Sequence, residues 1–187
     1  MRWYGWIALG IAGCTGASTD VGTGDDDDDV EGCSAGDLAV DIGTGADVYQ
    51  ALADGDVVTM VHGPQGGWHV ETAGLVTQAQ SDVSIHPQIL VPDLSGLMIS
   101  GTQQASFNAL VGYSDTTCEG TFFGVRSFID PASDTSWTGT DQEFICSLEG
   151  LTLEFSVEVK DIATDRSTTD TVSVIANLDP ADVPNCP

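Results

Sequence analysis

The chain has 187 residues, of which 29 are acidic and only 4 are basic, and its formal net charge is -25 at pH 7. Its residues are 41% hydrophobic and its mean hydropathy is +0.05, so we expect a folded domain with a buried core. The charge excludes nucleic acid as a partner, because binding there depends on Lys and Arg side chains that neutralise phosphates. Cationic partners such as divalent metals, polyamines and basic proteins are compatible with it.

The first segment is a short apolar run that follows Arg2 and ends at Ile11-Ala12-Gly13-Cys14. It is too short to cross a bilayer, which takes about 20 apolar residues. This order resembles the lipobox of bacterial lipoproteins, which implies a signal peptide at 1–13, cleavage before Cys14 and a diacylglycerol on its sulfur. Thr15 then implies sorting to the outer membrane. The alternatives are an uncleaved N-terminal stub, or a disulfide between Cys14 and another cysteine.

The next segment, 14–32, consists mostly of Thr, Ser, Gly and Asp and contains five consecutive aspartates at 25–29. It has almost nothing to bury, and its like charges repel one another. We predict a disordered tether between the lipid and the folded domain. Weak calcium binding by the aspartates is the alternative, although the segment has no turns that would order the ligands.

The third segment, 33–187, is predicted to be one all-β domain. Short runs of alternating apolar residues are separated by turn signals such as Asp54-Gly55, Gly63-Pro64 and Asp130-Pro131, which is typical of an antiparallel β-sandwich. No stretch keeps a 3.6-residue period long enough to predict a helix. The predicted strands include or lie within 40–42, 57–61, 68–76, 83–91 (interrupted by Pro87), 105–111, 121–129, 144–159 and 171–175.

The last third of the chain has an alternating run, Leu151 to Asp161, then a polar turn and Thr171-Val172-Ser173-Val174. This pattern resembles the final hairpin of Ig-like and fibronectin-III-like modules of bacterial surface proteins. The resemblance implies a sandwich fold and carries no function. Trp137 lies in a Ser/Thr-rich loop, so the core tryptophan of a typical Ig domain is not evident.

Four cysteines lie in the predicted domain: Cys33, Cys118, Cys146 and Cys186. They allow three connectivities, and the sequence does not choose among them. A bridge between the two ends of the domain, Cys33 to Cys186, is attractive and would leave Cys118 to pair with Cys146. A four-thiolate zinc site is disfavoured, because the chain has no CxxC pair.

The most distinctive stretch of the domain runs from Val61 to Val70 and contains a Gly-Pro-Gln-Gly-Gly turn. The glycines and Pro64 predict a hairpin, whose register decides its chemistry. If His62 faces His69, the two imidazoles share a face with Glu71, and His86 from another strand completes a copper or zinc site. If His62 instead faces Trp68, then His69 points to the other face of the sheet.

Three further site hypotheses follow. Trp68, with Gln65 beside it, is a candidate for recognition of a ligand or partner, and a purely structural hairpin is the alternative. Asp130, Asp134 and Asp141 form a candidate calcium loop, although they lack the spacing of a strict motif. No catalytic residues are predicted, because the chain has no Gly-x-Ser-x-Gly, HExxH or phosphate-binding motif.

Taken with the lipobox and the acidic tether, the Gly-Pro-Gln-Gly-Gly-Trp-His stretch resembles a loose group of exported lipoproteins of myxobacteria, from which no activity carries over. We therefore predict a protein of the cell envelope, anchored in the outer membrane by lipid. Its expected role is non-catalytic: structural, or binding to another envelope protein or a small ligand. The alternative is a metal-binding envelope lipoprotein, and otherwise no cofactor is expected.

Overall fold

The computed structural model describes Cys33 and residues 36–100, 106–114 and 117–186. The predictions for 1–13, for Cys14 and for the rest of the tether lie outside these residues. The described strands are β1 (Ala39–Thr44), β2 (Gln50–Ala51), β3 (Val57–His62), β4 (Trp68–Thr77), β5 (Asp82–Val91), β6 (Leu97–Met98), β7 (Phe107–Leu110), β8 (Gly112–Ser114), β9 (Glu119–Ile129), β10 (Thr152–Asp161) and β11 (Ser167–Leu178). One α-helix, α1 (Asp141–Leu148), and 3₁₀ turns at Pro92–Leu94, Pro131–Ser133 and Val183–Asn185 complete the described elements.

The strands form a β-sandwich, which confirms the predicted fold class. The first sheet has the order β2-β1-β4-β9-β8, and the second has β11, β10 and β5, with β6 and β7 on the far edge of β5. The predicted final hairpin is β10–β11, which pairs from Thr152↔Ile175 to Lys160↔Ser167. Most of the predicted strands are therefore present.

Strand β3 joins the two sheets. Its first four residues pair with β11, whereas Val61 and His62 pair with β4. The pairing of β3 with β11 is parallel. The prediction of a wholly antiparallel sandwich is therefore wrong in this one respect. The hairpin makes β3 antiparallel to β4, and in this direction β3 runs parallel to β11.

The core lies between the sheets and follows the alternation of the sequence. On β10 the residues Leu153, Phe155, Val157 and Val159 are all buried, and the residues between them are more exposed. Met60, Val70 and Ile89 contribute equally buried side chains from other strands. Because side chains point alternately to opposite faces of a strand, one face of each of these strands supplies the core.

Pro87 does not interrupt its strand, contrary to the prediction. It pairs in register with Val157 of β10 in the middle of β5. On the other side of β5, β7 pairs only as far as Ile85 and β6 begins at Leu90, so Pro87 lies in the gap between them. A proline is tolerated where no ladder hydrogen bond is required of it. Pro92 does end the strand, as predicted.

Residues 141–148 form a helix, and the prediction that 144–148 begin a long strand is wrong. Thr140 is the N-cap: its hydroxyl accepts from the Glu143 backbone N–H, and the Glu143 carboxylate accepts from Thr140 in return. This capping box satisfies donors at the helix N-terminus, which stabilises the first turn. Phe144, Ile145 and Leu148 then bury one side of the helix.

The disulfides connect Cys33 to Cys118 and Cys146 to Cys186, with Cα–Cα distances of 5.0 and 5.6 Å. The pairing that we favoured, Cys33 with Cys186, is therefore wrong. Ala39 of β1 and Glu119 of β9 both pair with Thr77, which brings the segments before these two strands to the same end of β4. Cys146 lies on α1, where a strand was expected, so its proximity to Cys186 was not foreseen.

Within the described ranges, no helix is long and apolar enough to span a membrane.

Candidate ligand-binding site

The hairpin between β3 and β4 takes the second of the two predicted registers. His62 lies opposite Trp68, and Val61 lies opposite His69. The rings of His62 and Trp68 therefore share a face, with their centroids 4.9 Å apart. His69 points to the opposite face, so the structure does not bring the two histidines together as ligands of one metal ion.

Asp182 contacts both rings on the face that His62 and Trp68 share. One carboxylate oxygen accepts the Trp68 indole N–H at 2.7 Å, and the other lies 2.8 Å from His62 Nδ1. Asp182 is fully buried, and Trp68 is only 7% exposed. Trp68 therefore packs in the core and holds the C-terminal segment to the hairpin. The prediction that Trp68 is an exposed recognition residue is wrong.

His69 is buried on the outer face of the first sheet. Its Nε2 lies 3.0 Å from Oε1 of Glu71, and its ring lies beside Phe128. The Nε atom of Arg126 lies 3.9 Å from the same Glu71 oxygen. The other oxygen of Glu71 is buried without a hydrogen-bond partner. Glu71 and His69 do share a face, as predicted, and they form a hydrogen-bonded pair.

The turn at Gly63–Gly67 curls over His69 and encloses a small pocket of about 180 Å³. Gln65 lines this pocket together with Pro64, Arg126 and Phe128. Gly66 and Gly67 have φ angles of 85° and 82°, the left-handed region in which glycine is favoured. Gln65 is thus at a surface cleft, but the cleft is small compared with the 300 Å³ or so at which ligand pockets begin.

The predicted metal ligands are spread over three places. His86 lies on β5 opposite Glu158 of β10, in the second sheet, and its ring is 3.3 Å from the Gln88 side chain. Asp130 and Asp134 cap turns through Ala132 and Ser136 rather than converging on one point. Over the described part of the chain, no group of three His, Cys, Asp or Glu side chains is placed to hold a metal ion.

A larger pocket, of about 580 Å³, lies between the loop 136–139 and helix α1. Trp137 lines it and is 36% exposed, whereas Trp68, the other tryptophan in the described residues, is 7% exposed. From the helix, Glu143, Cys146 and Ser147 line the opposite side, and Cys186 closes one end through its disulfide. The volume lies within the range of small-molecule sites.

Local hydrogen bonds hold Trp137 in place. Its indole N–H donates to the Thr140 carbonyl at 3.1 Å, and its backbone N–H donates to the Asp134 carbonyl at 3.1 Å. The ring lies edge-to-face with the buried ring of Phe144, with centroids 5.5 Å apart. An aromatic ring held in this way meets a ligand without losing further side-chain freedom.

The pocket carries a fixed negative charge. Hydrogen bonds from the Thr140 backbone N–H and then from its hydroxyl lower the pKa of Glu143. The Ser136 hydroxyl, followed by its backbone N–H, lowers the pKa of Asp134 in the adjoining turn. Both groups are therefore carboxylates at neutral pH.

Sequence reasoning did not identify this pocket. Trp137 was noted only as a loop residue, and 144–148 were assigned to a strand. The signal that could have revealed it is the Thr140-Asp141-Gln142-Glu143 order, a capping box that starts a helix just after an exposed tryptophan. The segment before this order is rich in Ser, Thr and Gly and offers no apolar partner for the indole ring.

Comparison with known proteins does not identify a family for the chain. No protein-family model and no curated protein sequence matches the chain. Among solved structures, the chain is similar to the CooA pilin subunit from enterotoxigenic Escherichia coli, with 14% identity and a TM-score of 0.34. That match covers 75% of this chain and 99% of the pilin chain.

Proposed function

We propose that this protein is an exported module of the bacterial cell envelope, anchored by lipid at Cys14, with a non-catalytic binding role. The observation that carries the proposal is the pairing of the cysteines. The chain has five, and Cys33, Cys118, Cys146 and Cys186 close on one another. None of these four is left as a partner for Cys14, so the alternative of an intramolecular disulfide at Cys14 loses its support.

The two disulfides also support export. Disulfides form and persist in oxidising compartments such as the bacterial periplasm and the cell surface. The lipobox order at Ile11-Ala12-Gly13-Cys14 supports a lipid on the remaining cysteine. The acidic chain would be repelled by anionic lipid headgroups, so an attachment to the membrane would depend on acyl chains, at about 0.8 kcal/mol for each buried CH₂.

The contacts of the histidines favour binding over hydrolysis. His62 contacts the carboxylate of Asp182, His69 contacts Glu71, and His86 contacts the amide of Gln88. A histidine that activates a nucleophile also lies within hydrogen-bond distance of a hydroxyl or thiol, and among the described residues none of the three histidines makes such a contact. The pocket at Trp137 has the size and the exposed aromatic ring of a recognition site.

Metabolic labelling with an alkyne fatty acid in a bacterial host tests the anchor. We expect the wild-type chain to incorporate label and to sediment with membranes, and Cys14→Ser to lose both properties. An inhibitor of signal peptidase II should leave the uncut precursor in the wild type. The double variant Cys33→Ser/Cys118→Ser is the matched control, because it removes two cysteines and keeps the lipobox, so it should still be labelled. Unlabelled wild type, or equal labelling of Cys14→Ser, would contradict the proposal.

A further inference from the structure

We infer that the pocket at Trp137 binds a cationic group, an ammonium of the kind found on choline or on a lysine side chain. The inference rests on the proposed binding role and names the ligand class of that role. It is carried by the juxtaposition of an exposed, immobilised indole ring with a carboxylate in one pocket.

The ring and the carboxylate meet at Gly139. A Cβ atom at this position would lie 2.9 Å from both the Trp137 ring and Glu143 Oε2, so the two groups lie close together on either side of the loop, with no room for a ligand between them at this point. Because both residues line the same pocket, a small group bound in that pocket can contact the ring and the carboxylate together. A cation is attracted to the face of an indole ring, and Trp is the best of the aromatic side chains for this interaction.

The charged residues around the pocket favour a ligand with a positive charge. Its lining consists of Ser, Thr, Gly, Cys and Trp side chains and the single charged group Glu143. Glu143 and Asp141 lie in the first turn of α1, where they oppose the partial positive charge of the helix terminus. Asp134 adds a third carboxylate at the adjoining turn. An anionic ligand would meet three like charges and is therefore excluded.

The described basic side chains lie elsewhere in the fold. Lys160 pairs with Asp165 at 2.5 Å, and the guanidinium of Arg166 donates to the carbonyls of Gly36 and Gln78. Arg126 lies beside Glu71 on the outer face of the first sheet. None of the described basic side chains therefore supplies a cation to the pocket, and the net charge of -25 attracts a cationic ligand or partner from a distance.

A neutral sugar is the competing occupant, because Ser136, Thr138 and Ser147 also line the pocket. The hydrogen bonds of the Glu143 carboxylate disfavour a sugar. Both hydrogen bonds of the capping box that reach Glu143 end on Oε2, which fixes the group and restricts its use in the paired contacts that sugar hydroxyls require. A cation needs only proximity to the charge, and it gains from the ring face as well.

The test is a titration followed by fluorine NMR on the full chain labelled with fluorotryptophan. The chain is held in a polyoxyethylene detergent, which carries neither an ammonium group nor a sugar. Trp137→Phe and Trp68→Phe identify the two domain signals. Choline chloride replaces sodium chloride at constant ionic strength, and 3,3-dimethylbutan-1-ol, its neutral counterpart of the same shape, is titrated in parallel. Methyl glucoside probes the competing class.

We expect choline to shift the Trp137 signal in a saturable manner, to leave the Trp68 signal unchanged, and to bind better than the neutral alcohol. Glu143→Gln retains the capping side chain and should weaken choline about three- to fivefold. Asp141→Asn is the matched control, because it removes one charge from the same helical turn outside the pocket lining, and we expect less than a twofold effect.

Three results would overturn the inference. Equal binding of choline and the neutral alcohol would show that charge is not recognised. A response to methyl glucoside without one to choline would keep the binding role and replace the ligand class. No response to any of the three probes would remove Trp137 as a binding site. The proposed lipid anchor is tested separately, by the labelling of Cys14.

Discussion

Trp68 and Trp137 occupy opposite situations in the same domain. Both donate their indole N–H to an oxygen, Trp68 to the carboxylate of Asp182 and Trp137 to the carbonyl of Thr140. Trp68 is 7% exposed, whereas Trp137 is 36% exposed. Both indole N–H groups are therefore hydrogen-bonded, and the two sites differ in how much of the ring is covered by other residues.

The difference shows how the local sequence decides the use of a tryptophan. Trp68 opens β4, where alternation places it on the core face opposite His62. Trp137 stands in a loop between a 3₁₀ turn and α1, with one neighbouring ring, Phe144, to pack against. We conclude that the ring of Trp68 contributes to stability, whereas the ring of Trp137 is partly exposed to solvent.

The two regions are covalently connected. The C-terminal segment carries Asp182, which binds Trp68, and also contains Cys186, whose partner Cys146 lies in the wall of the Trp137 pocket. Removal of this disulfide should therefore perturb the surroundings of both tryptophans, whereas the other substitutions should perturb those of only one.

The largest effect on the two tryptophan regions together is expected from Cys146→Ser/Cys186→Ser. Opening this loop, with a sequence separation of 40, should lower the free energy of unfolding by about 4 kcal/mol on the chain-entropy estimate. Urea unfolding measures the loss. The double variant Cys33→Ser/Cys118→Ser is the control: it should lose a similar free energy but keep choline binding. Retention of full choline affinity in the first variant would contradict the role of this disulfide in the pocket.

Removal of Asp182 should affect only the Trp68 region. Asp182→Ala leaves the buried indole N–H and His62 without their acceptor, and we expect a loss of about 3 kcal/mol in the free energy of unfolding. Asp182→Asn retains one carbonyl oxygen and should lose less. A double-mutant cycle with Trp68→Phe should show coupling between the two positions. Additive effects would mean that the hydrogen bond does not stabilise the fold.

Trp137→Ala should cost about 1 kcal/mol, which is the scale of one edge-to-face aromatic pair, and it should abolish choline binding. Urea unfolding and the fluorine NMR titration measure the two quantities. For comparison, Trp68→Ala is expected to lose about 3–5 kcal/mol of the free energy of unfolding, because its ring is buried in the core. Equal losses at the two positions would contradict the division between a structural and an available tryptophan.

The smallest effect is a pH dependence confined to the Trp137 region. The pKa of Glu143 lies below its ordinary value of 4.5, because the backbone N–H and hydroxyl of Thr140 donate to it. A lowered pKa means that the charged form persists at neutral pH and is lost only as the pH falls through that lower value. Choline affinity should therefore be constant from pH 7 to about 5 and fall at lower pH. A decline already near pH 6 would point to a different titrating group.

The sequence predicted those parts of the fold that depend on alternation. The strands and the final hairpin follow from a period of two in apolar residues, which is a local signal. The hairpin register was left between two possibilities, because Gly63–Gly67 can close either one. The structure selects the one in which Asp182, 120 positions beyond His62, bonds to both facing rings.

The errors arose where local and distant signals compete. Residues 144–148 alternate well enough for a strand, but the capping box at Thr140 and Glu143 commits them to a helix. The favoured disulfide pairing rested on the positions of Cys33 and Cys186 near the two ends of the domain, and those positions do not show that Cys186 lies against Cys146 of α1. The Trp137 pocket required both the helix and the disulfide, and so it could not be predicted from composition.

Mass spectrometry of the unreduced protein, purified from the bacterial envelope and digested, tests the central claim most directly. We predict three products: a peptide that joins Cys33 to Cys118, a peptide that joins Cys146 to Cys186, and an N-terminal peptide that begins at Cys14 and carries the added mass of a diacylglycerol. A Cys14 peptide without lipid, or one linked by a disulfide to any of the other four cysteines, would contradict the account.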